Sequence, residues 1–396
     1  MSDLLSVDEA LARILARVET LPAERVMLAD AATRVSAETL LSAVDVPPFR
    51  SSSMDGYAVR AADLPGALAI VDRSAAGRPS NSTLDSGQAI EISTGAVVPD
   101  GADTVVPVER VEVAGETVTI PEPVSTRDNI REPGGDVRIG SVLISPGDVV
   151  VPARLGALAA SGIESVMVHR VPLVTIVVTG TELRPPGESL GRGQIYESNG
   201  LMLAAVLEAA GATTTRLAAT EDTEDAHAAS LEKALEADVV VTSGGVSVGP
   251  HDLVRAVQAR LGVEEVFWGV AMRPGKPLAF GCRGRTLVFG LPGNPVSALV
   301  GALLFVRPAL LALMGHRDPA PPFRPGVLVA PIAQRPERDD FVRARVTWGE
   351  DGALVEPIVG QESHMIAHTT AATGLAWIPR GPGSLPAGSR VRFLPL

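Results

Sequence analysis

The spacing of the apolar positions changes along the chain, and the changes divide it. Ser6-Val7-Asp8-Glu9 has the form of a capping box, with Ser6 at N-cap and Glu9 at N3. Val7, Leu11, Ile14, Leu15 and Val18 follow at helical spacing until Pro22 stops the run. From about residue 68 to 151 the pattern becomes short β-branched runs between Gly and Pro turns. These are Thr104-Val105-Val106, Val111-Glu112-Val113 and Thr117-Val118-Thr119-Ile120, with Ala114-Gly115 as a hairpin tip. Residues 173–305 alternate apolar strands (174–178, 239–242, 287–289) with helical segments near 200–210, 225–236, 252–260 and 295–313. That alternation predicts βαβ units and a mostly parallel sheet covered on both faces. The stretch 318–325, rich in proline, is a linker by composition. Beyond it, strand alternation such as Phe341-Val342-Arg343-Ala344-Arg345-Val346 predicts a small β domain.

With 396 residues the chain has room for several domains. Aromatics are 3% against 46% hydrophobic, so Ala, Val and Leu must fill the cores. The net charge of −12 sets up a field that disfavours nucleic acid and anionic membranes. An anionic substrate would therefore need local cations or a bound metal. The single cysteine, Cys282, excludes an intrachain disulfide and, on this chain alone, a Cys-rich zinc or iron–sulfur site. Between Phe280-Gly281 and the next residues it reads as packing. A hard cation on oxygen ligands stays open. Met1-Ser2-Asp3-Leu4-Leu5 lacks the regions of a signal peptide, and the apolar stretch 299–313 is short and interrupted by Arg307-Pro308. The expectation is a cytoplasmic protein.

In an open parallel sheet, ligands bind outside the carboxyl ends of the strands. The segments that follow each strand are unusual: Thr179-Gly180-Thr181-Glu182, then Glu221-Asp222, then Ser243-Gly244-Gly245-Val246-Ser247-Val248-Gly249 with Asp252 opening a helix, then Gly290-Leu291-Pro292-Gly293-Asn294-Pro295. Glycines let backbone N–H groups approach an anion, and a helix N-terminus adds partial positive charge. The carboxylates Glu182, Glu221, Asp222 and Asp252 would repel a phosphate unless a divalent cation lay between them. Met272-Arg273-Pro274-Gly275-Lys276-Pro277 adds two cations on a rigid turn. Taken singly, a Ser-Gly-Gly is more often an ordinary turn, Asp252 an N-cap and Arg-Pro-Gly-Lys a solvated loop. They become specific because the fold rule sends all of them to one edge. Gly245-Val246-Ser247-Val248-Gly249 also fits the G-x-S-x-G nucleophile elbow. Ser247 lies too far beyond the strand for that, and only His251, His316, His364 and His368 follow it.

At these residues the chain resembles the MoeA family, which includes the E domain of gephyrin. The resemblance rests on Ser53-Met54-Asp55-Gly56-Tyr57-Ala58, Thr94-Gly95-Ala96-Val97-Val98-Pro99-Asp100-Gly101-Ala102-Asp103, residues 243–249, Arg273-Pro274-Gly275-Lys276-Pro277 and residues 290–297, in the family's order over roughly residues 6–396. It implies a homodimer of four-domain subunits. The expected parts are a discontinuous helical and extended linking domain (1–26, 44–52, 138–170) and a β-rich domain (27–43, 53–137). A three-layer α/β molybdopterin-binding domain (171–317) and a C-terminal β domain (318–396) complete the chain. The implied reaction is insertion of molybdenum from molybdate into adenylyl-molybdopterin, with release of AMP and with Mg2+ as cofactor. Hand-over of the pterin from the preceding adenylyltransferase belongs to the same picture.

The resemblance also assigns residues. Glu182, Asp222 and Asp252 would handle metal and phosphates. Asp55, Thr94 and Asp136 are the functional positions of the β-rich domain, and Lys276 the cation that meets the oxyanion. Ser243, Gly244, Gly245, Ser247, Arg273, Pro277, Pro292, Gly293, Asn294 and Ser297 would bind substrate, with Arg343 and Ser363 at a site admitting molybdate. Thr181 stands where the family often has Asp, and Arg273 where Lys is frequent, a fork in place of a point charge. Residues 131–136 are a loose version of an Arg-rich, Gly-Asp segment. Two other classes share parts of this pattern: a non-catalytic gephyrin-like scaffold and an adenylyltransferase of the same pathway.

Overall fold

The structure, a computed structural model, describes residues 4–220, 224–244 and 253–396. Its central sheet has the strand order Thr213–Thr220, Leu173–Thr179, Val239–Ser243, Thr286–Leu291, Ala279–Arg283, Glu264–Trp268. The first four are parallel; Ala279–Arg283 runs antiparallel to them, and Glu264–Trp268 pairs antiparallel with Ala279–Arg283. Val174, Ile176 and Val178 enter one hydrophobic cluster with Leu203 and Leu207 of the helix Asn199–Ala209. On the opposite face, Val177 packs with Leu231 of Glu224–Ala234 and Val257 of Leu253–Arg260. Both faces are covered, which is why 174–178, with the exception of Thr175, and 239–241 are apolar in continuous runs rather than at alternate positions. From Leu173–Thr179 the chain goes first to one neighbour, Thr213–Thr220, and then to the other, Val239–Ser243. The order therefore reverses between Leu173–Thr179 and Val239–Ser243.

The last helical run of this domain differs from the sequence reading. Arg307-Pro308 does not interrupt it. The chain passes from Pro295–Gly301 through a π-helical turn, Ala302–Val306, into Arg307–Leu313. Proline lacks an N–H and its ring crowds the carbonyl four residues back; a wider turn just before it relieves that conflict. The 19-residue run Pro295–Leu313 is long and apolar enough to cross a membrane, but 78% of its apolar window is buried within the fold. It is a core helix.

The N-terminal helix Val7–Leu15 carries the expected capping box: Ser6 Oγ accepts the Glu9 N–H at 3.2 Å and Glu9 Oε2 accepts the Ser6 N–H at 2.9 Å. Its buried stripe, Val7, Ala10 and Ile14, joins the cluster of the central sheet. Ala23–Met27 then pairs antiparallel with Ser165–His169. Part of the segment 27–43, expected with the β-rich domain, packs elsewhere: Leu28 and Ala31 share a cluster with Ile144, Val150 and Leu158, and Leu40–Leu41 pairs with Val142–Ile144. Its isolated apolar residues lack a period that could indicate their distant partner. The β-rich sheet itself runs Thr104–Pro107, Gly56–Val59, Gln88–Ile92, Gly66–Ser74, Thr117–Ile120, Glu112–Ala114. In its hairpin Ala114 pairs with Thr117, so the turn is Gly115-Glu116, with Gly115 at φ +62°.

In the C-terminal domain the pairings among Asp339–Gly349, Gly352–Pro357, Arg324–Leu328, Arg390–Pro395 and Gly374–Ile378 close on themselves as a small barrel. Residues 340–344 are all buried despite their alternating sequence. Val342 and Ala344 fill the barrel, while Phe341 faces the other way into the central cluster with Leu375 and Trp377. The domain is seated by a parallel pairing of Met272–Arg273 with Asp339 and Asp340.

Candidate functional site

Two neighbouring cavities meet at Asn294, which lines both. The first, about 520 Å³, lies outside the carboxyl ends of Leu173–Thr179 and Val239–Ser243, where the strand order reverses. Thr179-Gly180 and Ser243-Gly244 form part of its wall. Gly244 has φ +98°, and a Cβ there would stand 3.0 Å from the Thr179 carbonyl oxygen, so only glycine lets the two strand ends come this close. The helix Asn199–Ala209 begins at the same wall, with Ser198 at N-cap making no side-chain capping bond. Asn199, buried, donates from Nδ2 to Ser243 Oγ at 2.9 Å and to the Gly293 carbonyl at 2.8 Å. It thereby ties three loop segments together. Glu197 accepts the Gly200 N–H at 2.7 Å, and Glu182 adds a second carboxylate. N–H groups at a helix start suit a phosphate, and the carboxylates suit a hard cation that bridges to it.

The second cavity, about 370 Å³, lies between the α/β domain and the C-terminal barrel. Arg273 and Lys276 come from one side and Arg335 and Arg338 from the other, four cations against the single lining carboxylate Glu362. Gly275, at φ +104°, makes the turn between Arg273 and Lys276. Arg273 Nη2 donates to Glu362 Oε1 at 3.3 Å. Asn294 Nδ2 donates to Ser363 Oγ at 2.9 Å, and the Ser363 carbonyl accepts the Val296 N–H at 3.1 Å. The barrel's loop thus caps the helix Pro295–Gly301. Behind the wall, Asp340 is buried; burial pushes its carboxyl up, while Arg335 and Arg273 pull it the other way. A compartment of this sign can neutralise a small dianion.

The first cavity gathers Glu182, Ser243, Gly244, Gly293 and Asn294. The second gathers Arg273, Lys276, Pro277, Pro292, Asn294, Ser297 and Ser363. Arg343, expected at a site admitting molybdate, lies behind the cavities. It is 1% exposed and lines neither cavity; its Nη1 donates to the Met365 carbonyl and Thr369 Oγ1, its Nη2 to the Gly360 and Glu362 carbonyls. It shares the face of its strand with Phe341, so it braces the loop that carries Ser363 from behind. Asp55 and Thr94 are brought together, the Asp55 carboxylate accepting the Thr94 N–H at 2.8 Å. Asp136 is exposed and gives only its backbone N–H to the Val46 carbonyl, at 2.9 Å. None of these three lines either cavity. Glu221, Asp222, Gly245, Ser247 and Asp252, with the whole G-x-S-x-G segment, lie outside the described residues. Among the described residues no group of three or more His, Cys, Asp or Glu is disposed to hold a metal.

Sequence reasoning missed Glu197 and Asn199, whose signal was a polar run, Glu197-Ser198-Asn199-Gly200, directly before an apolar helix. It also missed Arg335 and Arg338, in a basic segment before a strand, and His227 and His364, which line the first cavity.

Comparison with known proteins gives a consistent picture. Residues 5–162 match the family model of the MoeA N-terminal region (domain I and II), residues 175–312 that of a "Probable molybdopterin binding domain", and residues 325–396 that of the MoeA C-terminal region (domain IV). A molybdopterin molybdenumtransferase of Haemophilus influenzae is 36% identical over 99% of this chain and 98% of its own. Molybdopterin molybdenumtransferase 2 of Mycobacterium tuberculosis is 37% identical over 89% of this chain and 90% of its own. The fold is similar to that of a molybdopterin biosynthesis MoeA protein from Pyrococcus horikoshii, with a TM-score of 0.84 at 28% identity and 100% of both chains covered.

Proposed function

The chain belongs to the MoeA family of molybdopterin molybdenumtransferases, and from that premise we propose that it inserts molybdenum from molybdate into adenylyl-molybdopterin, releasing AMP and forming molybdenum cofactor. The observation that carries the reading is the pair of cavities joined at Asn294. One offers N–H groups and carboxylates for a phosphoanhydride; the other offers cations for an oxyanion. A common wall is what the chemistry requires, because the oxyanion must reach the pterin dithiolene while the anhydride is cleaved. The work of the protein is positioning and neutralisation of charge, and no protein nucleophile is needed.

In this reading Glu182, with Asp222 and Asp252, holds Mg2+, which when bound neutralises the phosphates. The donors are carboxylate oxygens, the ligand type a hard cation takes. Ser243, Gly244, Gly293 and Asn294 bind the phosphate side of the substrate. Lys276, Arg273, Ser297 and Ser363 hold molybdate, with Arg338 in the place expected for Arg343. Asp55, Thr94 and Asp136 act on the site of a second subunit in a homodimer, consistent with their lining neither cavity of their own chain. The enzyme works in the cytoplasm and takes its substrate from the adenylyltransferase that precedes it. An adenylyltransferase would not need the regions matched at residues 5–162 and 325–396, and a scaffold would not need the charges kept at both cavities.

The test is incubation with adenylyl-molybdopterin and molybdate. AMP and molybdenum cofactor should appear together and both should stop on chelation; AMP release with no cofactor formed would defeat the reading. Lys276→Ala should raise the molybdate requirement far more than the pterin requirement. Mixing Asp55→Ala with Asp252→Ala subunits, each inactive alone, should restore about one quarter of wild-type activity, since half the dimers are mixed and each holds one intact site. Restoration of nothing would remove the shared site.

A further inference from the structure

Asp340 does not line the second cavity, yet two of the cavity's cations converge on it. Its Oδ2 accepts Arg335 Nε at 3.1 Å and stands 4.0 Å from Arg273 Nη1. Arg335 belongs to the barrel and Arg273 to the α/β domain. The backbone reinforces the junction, because Arg273 and Asp340 are register partners in the parallel pairing that seats the barrel. The fork of Arg273 is thereby spanned, Asp340 near one terminal nitrogen and Glu362 at the other. Asp340 itself is 8% exposed, and its Oδ1 has no hydrogen-bond partner.

An ion pair kept only to join two domains would be poorly built this way. Burying a carboxylate costs solvation, an unpartnered oxygen adds to that cost, and a neutral residue of the same shape would join the domains as well. The arrangement makes sense if the carboxylate acts on its partners. Arginine has many rotamers, and an anion that must first order two of them binds weakly.

We propose that Asp340 is a positioning residue for the oxyanion: from behind the wall it holds Arg273 and Arg335, one from each domain, in the orientation in which they line the second cavity. This rests on the reading of that cavity as the molybdate site. It also makes a choice of sign that simple electrostatics does not. Asp340→Asn removes a negative charge and leaves the cavity more positive, so Coulomb attraction alone predicts tighter use of molybdate. Loss of positioning predicts weaker use.

The experiment is steady-state AMP release by the full chain, titrated separately in molybdate and in adenylyl-molybdopterin. Asp340→Asn should raise KM for molybdate about tenfold, the scale of one lost charged hydrogen bond, with KM for the pterin unchanged and Tm not lowered. Asp340→Glu, which keeps the charge, should stay within about threefold of wild type. If part of a variant fails to fold, apparent kcat falls and KM stays, so the two effects separate. An unchanged or lower KM for molybdate in Asp340→Asn, or a rise in Asp340→Glu as large as in the amide, would overturn the proposal. Lys276→Ala tests the cavity itself: unchanged KM for molybdate in that variant would mean the anion binds elsewhere, whatever Asp340 does.

Discussion

Arg343→Met removes a charged group from the centre of one loop. The guanidinium is 1% exposed and makes four hydrogen bonds: 2.6 Å to the Met365 carbonyl, 3.2 Å to Thr369 Oγ1, 2.6 Å to the Gly360 carbonyl and 3.0 Å to the Glu362 carbonyl. Each bond to a charged group contributes roughly 1.5–3 kcal/mol, and a buried acceptor left alone costs about 1–3 kcal/mol. These overlap, and carbonyls near the surface can turn to water, so the net loss should be about 3–5 kcal/mol, as for other broken buried charged networks. The loss is local. Residues 358–371 should open while the central sheet stays closed. Native-state hydrogen exchange reads this directly: amides such as Ile358, which donates to the Arg343 carbonyl, and Thr369, which donates to Ile366, should exchange at least about a hundredfold faster. Amides of Leu173–Thr179 should keep their protection. The same loop supplies Glu362 and Ser363 to one cavity and His364 and Ile366 to the other, so use of both substrates should suffer. Arg343→Lys should recover little, because one ammonium cannot span acceptors from Gly360 to Thr369. Wild-type exchange in residues 358–371 of Arg343→Met would show that something else holds the loop.

Gly244→Ala forces a side chain into a φ of +98° and against the Thr179 backbone, a strain of about 1–3 kcal/mol; Tm should drop by a few degrees and KM for adenylyl-molybdopterin should rise, and an unchanged KM would remove Gly244 from the phosphate wall. The stability of Asp340→Asn relative to wild type should depend on pH with a definite sign. Burial raises the Asp340 carboxyl above 3.8, so folding favours the protonated form, and the stability it contributes is present in acid and lost as pH rises through the folded value. Thermal melts should show the variant gaining on wild type between acid and neutral pH; a constant difference would contradict the burial argument. Cys282 is buried and its thiol is pushed up by desolvation, so a thiol reagent should label it slowly in native protein and at once in denaturant.

The parts of this protein that could be read from the sequence are those whose causes are local. Ser6 and Glu9 cap a helix because they stand three residues apart, and 174–178 is a covered strand because all but Thr175 in it are large and apolar. The glycine turns reach one edge because every parallel strand ends there, so the fold rule by itself places Gly244 and Gly293 at that edge. Arg343 shows where such reading stops. Alternation put it on one face of its strand, but what covers that face is a loop some twenty residues further along and a second domain. Arg338, outside the strand, reaches the cavity instead. Pro308 misled for a related reason: the local rule for proline is sound, and a π turn packed in the core satisfies it without a break. The order of residues along the chain therefore determined the elements, their caps and the edge where the glycine turns meet. Only the tertiary structure decided which cations share Asp340 and which arginine became a brace, because those outcomes depend on how loops fold back on a strand and, for Arg273, on a contact between domains, which no spacing along the chain encodes.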